Sequence, residues 1–468
     1  MSVNSKMTAI ADEIRELSGT TGAMGLDAMA THVGEANSEI DSQVELLAQA
    51  VAALEGKASG SGGDTSAESD LITRNITRYT NDKVTGIGSN AFAYCTSLTT
   101  VSFPVATSID MSAFASCYNL STVSFPVATS IGDYAFRECS SLTTANFPEA
   151  ITIGGSAFNN CTNLTFVNFP VATSIGDNAF LKCSSLTTAN FPEAITIGGS
   201  AFRSCINLAT ISFPVATSIG TYAFANCYSL AAVSFPAVTN IGVDAFYRCT
   251  NLTTVSFPVA TTIASDAFYY CSGLTTVSFP AVTSIGSSAF NSCTSLTSVS
   301  FPVAISIGMS AFGSCTNLIS VDFPAVTTIG NYVFCSCSSL TTVNFPVATY
   351  ISAYAFYYCT NLTSVNFPAV EYITSAFVGC YNLTTISFPA AINIYSSAFN
   401  YCFNLKSLYL TGSSICKLSH SNAFTSTPIG GYSTSAGTYG SIYVPASLLN
   451  SYKTATNWTY FSSRFVGI

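Results

Sequence analysis

A 22-residue phrase, in its clearest form I-G-x-x-A-F-x-x-C-x-x-L-T-x-V-S-F-P-x-x-x-x, recurs about fifteen times between Lys83 and Leu410. Cysteine marks the beat from Cys95, Cys117 and Cys139 through to Cys359, each 22 residues after the last, and Phe-Pro marks it again from Phe103-Pro104 to Phe388-Pro389. A fixed period of this length specifies a solenoid, in which each unit is one coil that buries its apolar side only against its neighbours. Residues 139–158 and 183–202 are identical, so part of the array arose by duplication. The inside of such a stack is taken up by packing. Function has to lie on its outer faces or at its ends.

Within one coil, Leu98-Thr-Thr-Val101-Ser-Phe103 alternates, which predicts a short strand with Val101 and Phe103 inward and Thr100 and Ser102 outward. Pro104 ends it, having no N–H to give the next coil's ladder. Ala113-Phe114-x-x-Cys117 reads as one helical turn with Phe and Cys on the same side and the two intervening residues in solvent. The expected fold is an α/β-type repeat solenoid of about fifteen coils, built mostly of short parallel strands, over residues 70–410.

Fifteen of the seventeen cysteines hold one position per coil, which predicts a buried ladder of reduced thiols. In-register side chains point the same way, so consecutive thiols cannot reach disulfide geometry without strain. Cys335 and Cys416 fall off the beat and are the two thiols expected to be exposed.

The flanks differ in composition. Residues 1–57 predict helices for attachment and oligomerisation, with Ile40, Val44, Leu47, Val51 and Leu54 stepping by 4 and 3 as a short coiled-coil seam. Residues 58–69 are a Gly/Ser-rich linker, and residues 411–468, with the sole tryptophan at Trp458, break the period and predict a C-terminal cap.

Several function classes are excluded. Charged residues make up 8% of the chain and the net charge is −9, which offers no basic stripe for nucleic acid. No apolar run is long enough to insert in a membrane as a helix. The polar start leads into an acidic helix, so synthesis in the cytoplasm without a Sec signal is expected. His32 and His420 lie far apart outside the repeats, and no Cys-x-x-Cys pair is present, so no metal or other cofactor is expected. No nucleophile, base and orienter can be assembled, so the chain is read as no enzyme.

Variation among the repeats concentrates just outside the core. The pair after each Ala-Phe reads Arg137-Glu138, Leu181-Lys182, Arg203-Ser204, Tyr247-Arg248, Tyr269-Tyr270 and Tyr357-Tyr358, and Tyr118, Tyr228 and Tyr381 follow the cysteine. Tyrosine and arginine supply large, rigid, hydrogen-bonding contacts at recognition surfaces. The candidate ligand-binding residues are therefore Tyr118, Arg137, Lys182, Arg203, Tyr228, Tyr247, Arg248, Tyr270 and Tyr358. Outward Thr and Ser on the strand side, such as Thr122 and Ser124, are read as solubilising β-formers.

The phrase Ile131-Gly-Asp-Tyr-Ala-Phe-Arg-Glu-Cys-Ser-Ser-Leu142 resembles the BspA-like class of leucine-rich repeats, and Gly440 to Tyr452 through Trp458 resembles the piece that often follows them. The resemblance implies a surface or extracellular adhesion and recognition protein. The start, Met7-Thr-Ala-Ile-Ala-Asp-Glu-Ile-Arg15 with Gly19, Leu26-Asp27 and Met29, is similar to a short module of phage and prophage structural proteins of Firmicutes. Together they imply a virion fibre or receptor-binding protein, trimeric, held to a virion structural protein by residues 1–57 and contacting a bacterial surface glycan or protein. The rivals are a bacterial surface adhesin and a capsid decoration protein without a specific ligand.

Overall fold

The computed structural model describes residues 77–431 and 439–468. The helical segment 1–57 with its Ile40, Val44, Leu47, Val51 and Leu54 seam, and the linker 58–69, lie outside the described residues.

Each coil has three sides. The first is a three-residue strand such as Thr100–Ser102, with Val101 and Phe103 fully buried. The second is a two-residue strand such as Ser108–Ile109. Where strands pair, they do so in parallel and, between coils, in register with the equivalent residues, as Ser174 with Thr196 and Ile175 with Ile197. The two-residue strands form one continuous sixteen-stranded sheet. The three-residue strands form shorter sheets of three or four, and at the breaks the Phe column beneath them opens to 5.9–6.2 Å between ring centroids. Repeats of this period thus make a β solenoid. Among the described residues the α-helix is Leu449–Thr454, near the C-terminus.

The third side overturns the expected helical turn. Ala-Phe-x-x-Cys forms two tight turns whose corners are left-handed residues four apart, such as Asn90 (φ 58°) and Tyr94 (φ 62°) or Tyr354 (φ 60°) and Tyr358 (φ 56°). An L side chain there costs about 1–2 kcal/mol, yet Ser, Asn, Tyr, Lys and Arg all occupy these corners. The compensation is a further ladder: the N–H groups of Asn90, Phe92 and Tyr94 donate to the carbonyls of Met111, Ala113 and Ala115 in the next coil at 2.7–3.0 Å. Twisting the corners left-handed aims those donors along the stack and turns the corner side chains outward. The double turns make up the turn face.

Two columns of phenylalanine fill the core. Rings stack nearly parallel within a column, as Phe158 on Phe180 (5.3 Å, 2°), and meet edge-on between columns, as Phe169 against Phe180 (6.0 Å, 64°). Both arrangements suit the ring quadrupole.

The cysteine ladder is buried and reduced, and it does more than fill space. From Cys117 to Cys402 the ladder thiols donate to the carbonyl of the turn-side Phe in the preceding coil, as Cys205 to Phe180 and Cys249 to Phe224, both at 3.1 Å. That explains Cys where Ala or Val would pack: the buried carbonyl gains a second donor. Burial pushes the thiols up, to about 12 for Cys249 and Cys315. Cys335 is partly exposed, but Cys416 is buried, against expectation. Its N–H donates to the Tyr452 hydroxyl (2.8 Å) and its carbonyl accepts from Trp458 Nε1 (2.7 Å). Native-state maleimide labelling should therefore modify Cys335 first and leave Cys416 slow. Peptide mapping that finds Cys416 or a ladder thiol modified as fast as Cys335 contradicts this packing.

The C-terminal segment continues the stack. Ser441–Val444 pairs with Ser407–Tyr409 and, on its other edge, with Phe465–Gly467. Trp458 and Tyr452, both fully buried, stand over Phe424 and Phe465 where another coil's rings would lie. His420 accepts a hydrogen bond from the Asn422 N–H through Nδ1 and so caps the turn Ser421–Phe424.

Candidate recognition surface

On the strand sides, many hydroxyls are already committed. Thr99 and Thr275 Oγ1 donate to the carbonyls of Thr77 and Thr253 (2.7 and 3.1 Å), and Thr107 and Thr283 do the same at the next corner. On the outward strand positions Asn168 donates to Asn146 at 2.7 Å. These polar rows bind coil to coil.

The turn face is different, because its side chains leave left-handed corners pointing away from the ladder. Near the N-terminal end, Tyr94, Tyr118, Tyr134, Arg137 and Glu138 line a pocket of about 160 Å³. Glu138 accepts from the Ser116 hydroxyl and pairs with Arg137, both at 2.9 Å, and these contacts, the hydroxyl first, hold its carboxyl below the usual value. The Arg137 guanidinium lies 5.9 Å from the Tyr134 ring.

A second cluster spans four consecutive coils. Arg203 sits 5.0 Å over the Tyr222 ring, and the Tyr222 hydroxyl bonds Asp244. Burial raises the carboxyl pKa values of Asp244 and Asp266, and Asp244 repels Asp266 further upward. Alongside, Tyr247 and Tyr269 stack at 5.4 Å, and Arg248 lies 5.3 Å over Tyr247 and 5.8 Å over Tyr270. Arginine held over tyrosine is fixed in direction by the ring while its donors stay available.

The third cluster runs from Tyr332 to Phe403 and includes Tyr358. Of the sequence-predicted residues, Tyr118 and Arg137 thus share one cluster, Arg203, Tyr247, Arg248 and Tyr270 a second, and Tyr358 belongs to the third. Lys182 and Tyr228 stand apart. Lys182 is exposed with only its backbone engaged (N–H to the Arg203 carbonyl, 2.9 Å), and the Tyr228 hydroxyl reaches Asn226 Oδ1 at 3.5 Å. Sequence reasoning missed Tyr134, Tyr222, Tyr332 and Tyr354, which stand just before Ala-Phe or its Val-Phe variant. The signal was there in the column formed by steps of 22, where Tyr332 is followed by Tyr354.

Among the described residues no group of three His, Cys, Asp or Glu could hold a metal ion, and no helix is long and apolar enough to cross a membrane.

The family model described as the BspA type leucine rich repeat region matches residues 73–187, 173–293, 261–375 and 327–436. Among solved structures, a leucine-rich repeat protein from Bacteroides ovatus is 26% identical, over 73% of this chain and 88% of its own, with a TM-score of 0.57. A leucine rich cell surface protein from Faecalibacterium prausnitzii is 24% identical, over 73% and 89%, with a TM-score of 0.40. No curated protein matches the chain in sequence.

Proposed function

Because the chain belongs to the BspA-type leucine-rich repeat family, we propose that it is a non-catalytic surface recognition protein, an adhesin that holds its ligand on the turn face. The carrying observation is the division of labour among the three sides. Many hydroxyls beside the strands, such as those of Thr99 and Thr275, are engaged in coil-to-coil bonds, whereas tyrosine and arginine on the turn face cluster without closing the core. Such residues dominate binding energy when a partner desolvates them. What separates the virion-fibre reading from the adhesin reading is the segment 1–57, which lies outside the described residues, so the adhesin reading, which the repeat family supports, is preferred.

The test is binding of the labelled full chain to mucin-coated surfaces, serum-protein-coated surfaces and whole bacterial cells. Saturable binding to at least one is expected. Replacing Arg203, Tyr247 and Arg248 together by alanine should weaken it by about tenfold or more, since truncated anchors commonly cost about 2 kcal/mol each. Absence of saturable binding on every surface sinks the proposal.

A further inference from the structure

The third cluster has a chemistry of its own. Tyr332 and Tyr354 stack at 5.0 Å, Tyr354 meets Tyr357 edge-on at 5.5 Å, and Tyr357 meets Tyr358 at 4.5 Å. Tyr358 then touches Tyr381 at 5.8 Å, and Tyr381 stacks on Phe403 at 5.2 Å. The rings form one unbroken band over neighbouring coils, with Tyr332 and Tyr358 each 38% exposed.

The band is also braced. The coil ending at Cys380 is 21 residues long, one short, and its remaining left-handed corner is Gly379 (φ 78°). A Cβ on Gly379 would come within 3.3 Å of the Tyr358 ring, so the ring rests on bare backbone. Neighbouring coils put Tyr or Ser at this corner, as Ser336, Tyr358 and Tyr401. Here the glycine seats the ring of the preceding coil and reduces the entropy it would lose on binding.

Charge and shape narrow the ligand. Between Arg248 and Lys406 the chain has no Lys or Arg, and its acids there are Asp266, Asp322 and Glu371. Asp322 is on a strand, Glu371 adjoins one, and Asp266 lies three coils before Tyr332. Nothing there pairs with an anion. A quaternary ammonium group would need space between ring walls, but these rings already touch. A proline-rich peptide likewise seats its prolines in grooves between aromatics, which touching rings do not leave. Remaining on offer are electron-rich ring faces, phenol hydroxyls and the exposed amides of Asn361 and Asn382, themselves linked at 3.1 Å. A pyranose matches this: its C–H face lies on a ring with a negative face, and its hydroxyls reach phenols and amides.

We propose that the turn face from Tyr332 to Phe403 is a platform for an uncharged polysaccharide, with Tyr332, Tyr358 and Tyr381 as the stacking rings. This rests on the recognition role above and names its ligand class.

The test is native gel affinity electrophoresis of the full chain through soluble uncharged polysaccharides (mixed-linkage β-glucan, xyloglucan, arabinoxylan and mannan), with polygalacturonate and a proline-rich peptide as contrasts. At least one uncharged polysaccharide should retard the chain. Y332A/Y358A/Y381A should weaken that binding at least tenfold, and G379A, which keeps every tyrosine, should weaken it by a smaller factor. F166T, on a strand side away from the turn face, should leave it unchanged. Circular dichroism identifies any variant that fails to fold, in which case G379A and the single Y358A decide. No retardation, retardation untouched by the tyrosine and glycine variants, or preference for polygalacturonate or the peptide overturns the platform. If that happens while binding to mucin, serum protein or cells persists, only the platform falls; if both fail, the recognition reading falls with it.

Discussion

Raising the pH above about 9 should unfold the solenoid steeply. An unfolded cysteine ionises near pH 8.5–9, whereas the folded thiols stay protonated until about pH 12 at Cys249, Cys315 and Cys416, because burial disfavours the thiolate. Between those values the folded chain binds more protons than the unfolded one. The stabilisation is complete below pH 9 and declines through the window by about 1.4 kcal/mol per thiol per pH unit. Since the thiols repeat coil after coil, their slopes add. Circular dichroism followed against pH should show a cooperative transition much sharper than a single ionisation. Replacing Cys205, Cys227 and Cys249 by alanine should make it shallower. A fold unchanged at pH 11 would mean that the ladder is not the proton store described here.

The second large effect is expected from Phe202→Ala. The ring is fully buried, stacked between Phe180 (5.2 Å) and Phe224 (5.3 Å) and met edge-on by Phe191 and Phe213. Its loss should cost about 3–5 kcal/mol through lost transfer energy and the cavity left behind. Because each coil touches only its neighbours, the defect should also weaken the coupling between the two sides of the stack. Urea unfolding should then lose part of the circular dichroism signal before Trp458 fluorescence changes, since the sole tryptophan reports from the C-terminal cap. Phe166→Thr is the contrast. That ring is 50% exposed on a strand where most coils place Thr or Ser, and the change should alter the midpoint little. Coincident transitions in Phe202→Ala, or a midpoint like that of the wild type, would contradict the columnar packing.

The comparison between sequence and structure turns on what period and polarity can encode. The step of 22 and the alternation around Val101 and Phe103 expose the stack and its inward residues directly. Ser108–Ile109 and its equivalents are too short to alternate, so the sixteen-stranded sheet left no alternation to read. Ala-Phe-x-x-Cys looked helical because Phe and Cys are three apart, a spacing that two successive tight turns also satisfy. The usual mark of a left-handed corner is glycine, but here Ser, Asn and Tyr hold the corners because the inter-coil ladder compensates them. Cys416 was misread because its cover, Tyr452 and Trp458, comes from some forty residues downstream. The candidate surface was legible as a list of side chains. Their grouping was not, since it depends on which coils stand next to each other and on corner residues before Ala-Phe.

In-register pairing also bears on how such a molecule changes over generations. Every edge of a coil presents the same partners at the same heights, so a gene that gains or drops a whole unit by unequal exchange still encodes a closed stack. The identical segments 139–158 and 183–202 are the trace of such an event, and the 21-residue coil at Cys380 shows that even a single missing codon is absorbed at a corner. Core and ladder act as a fixed rail, and the corner side chains are cargo that can be reordered along it. Lineages sharing this rail can vary in reach and in the order of their aromatic and arginine clusters without having to solve the folding problem again.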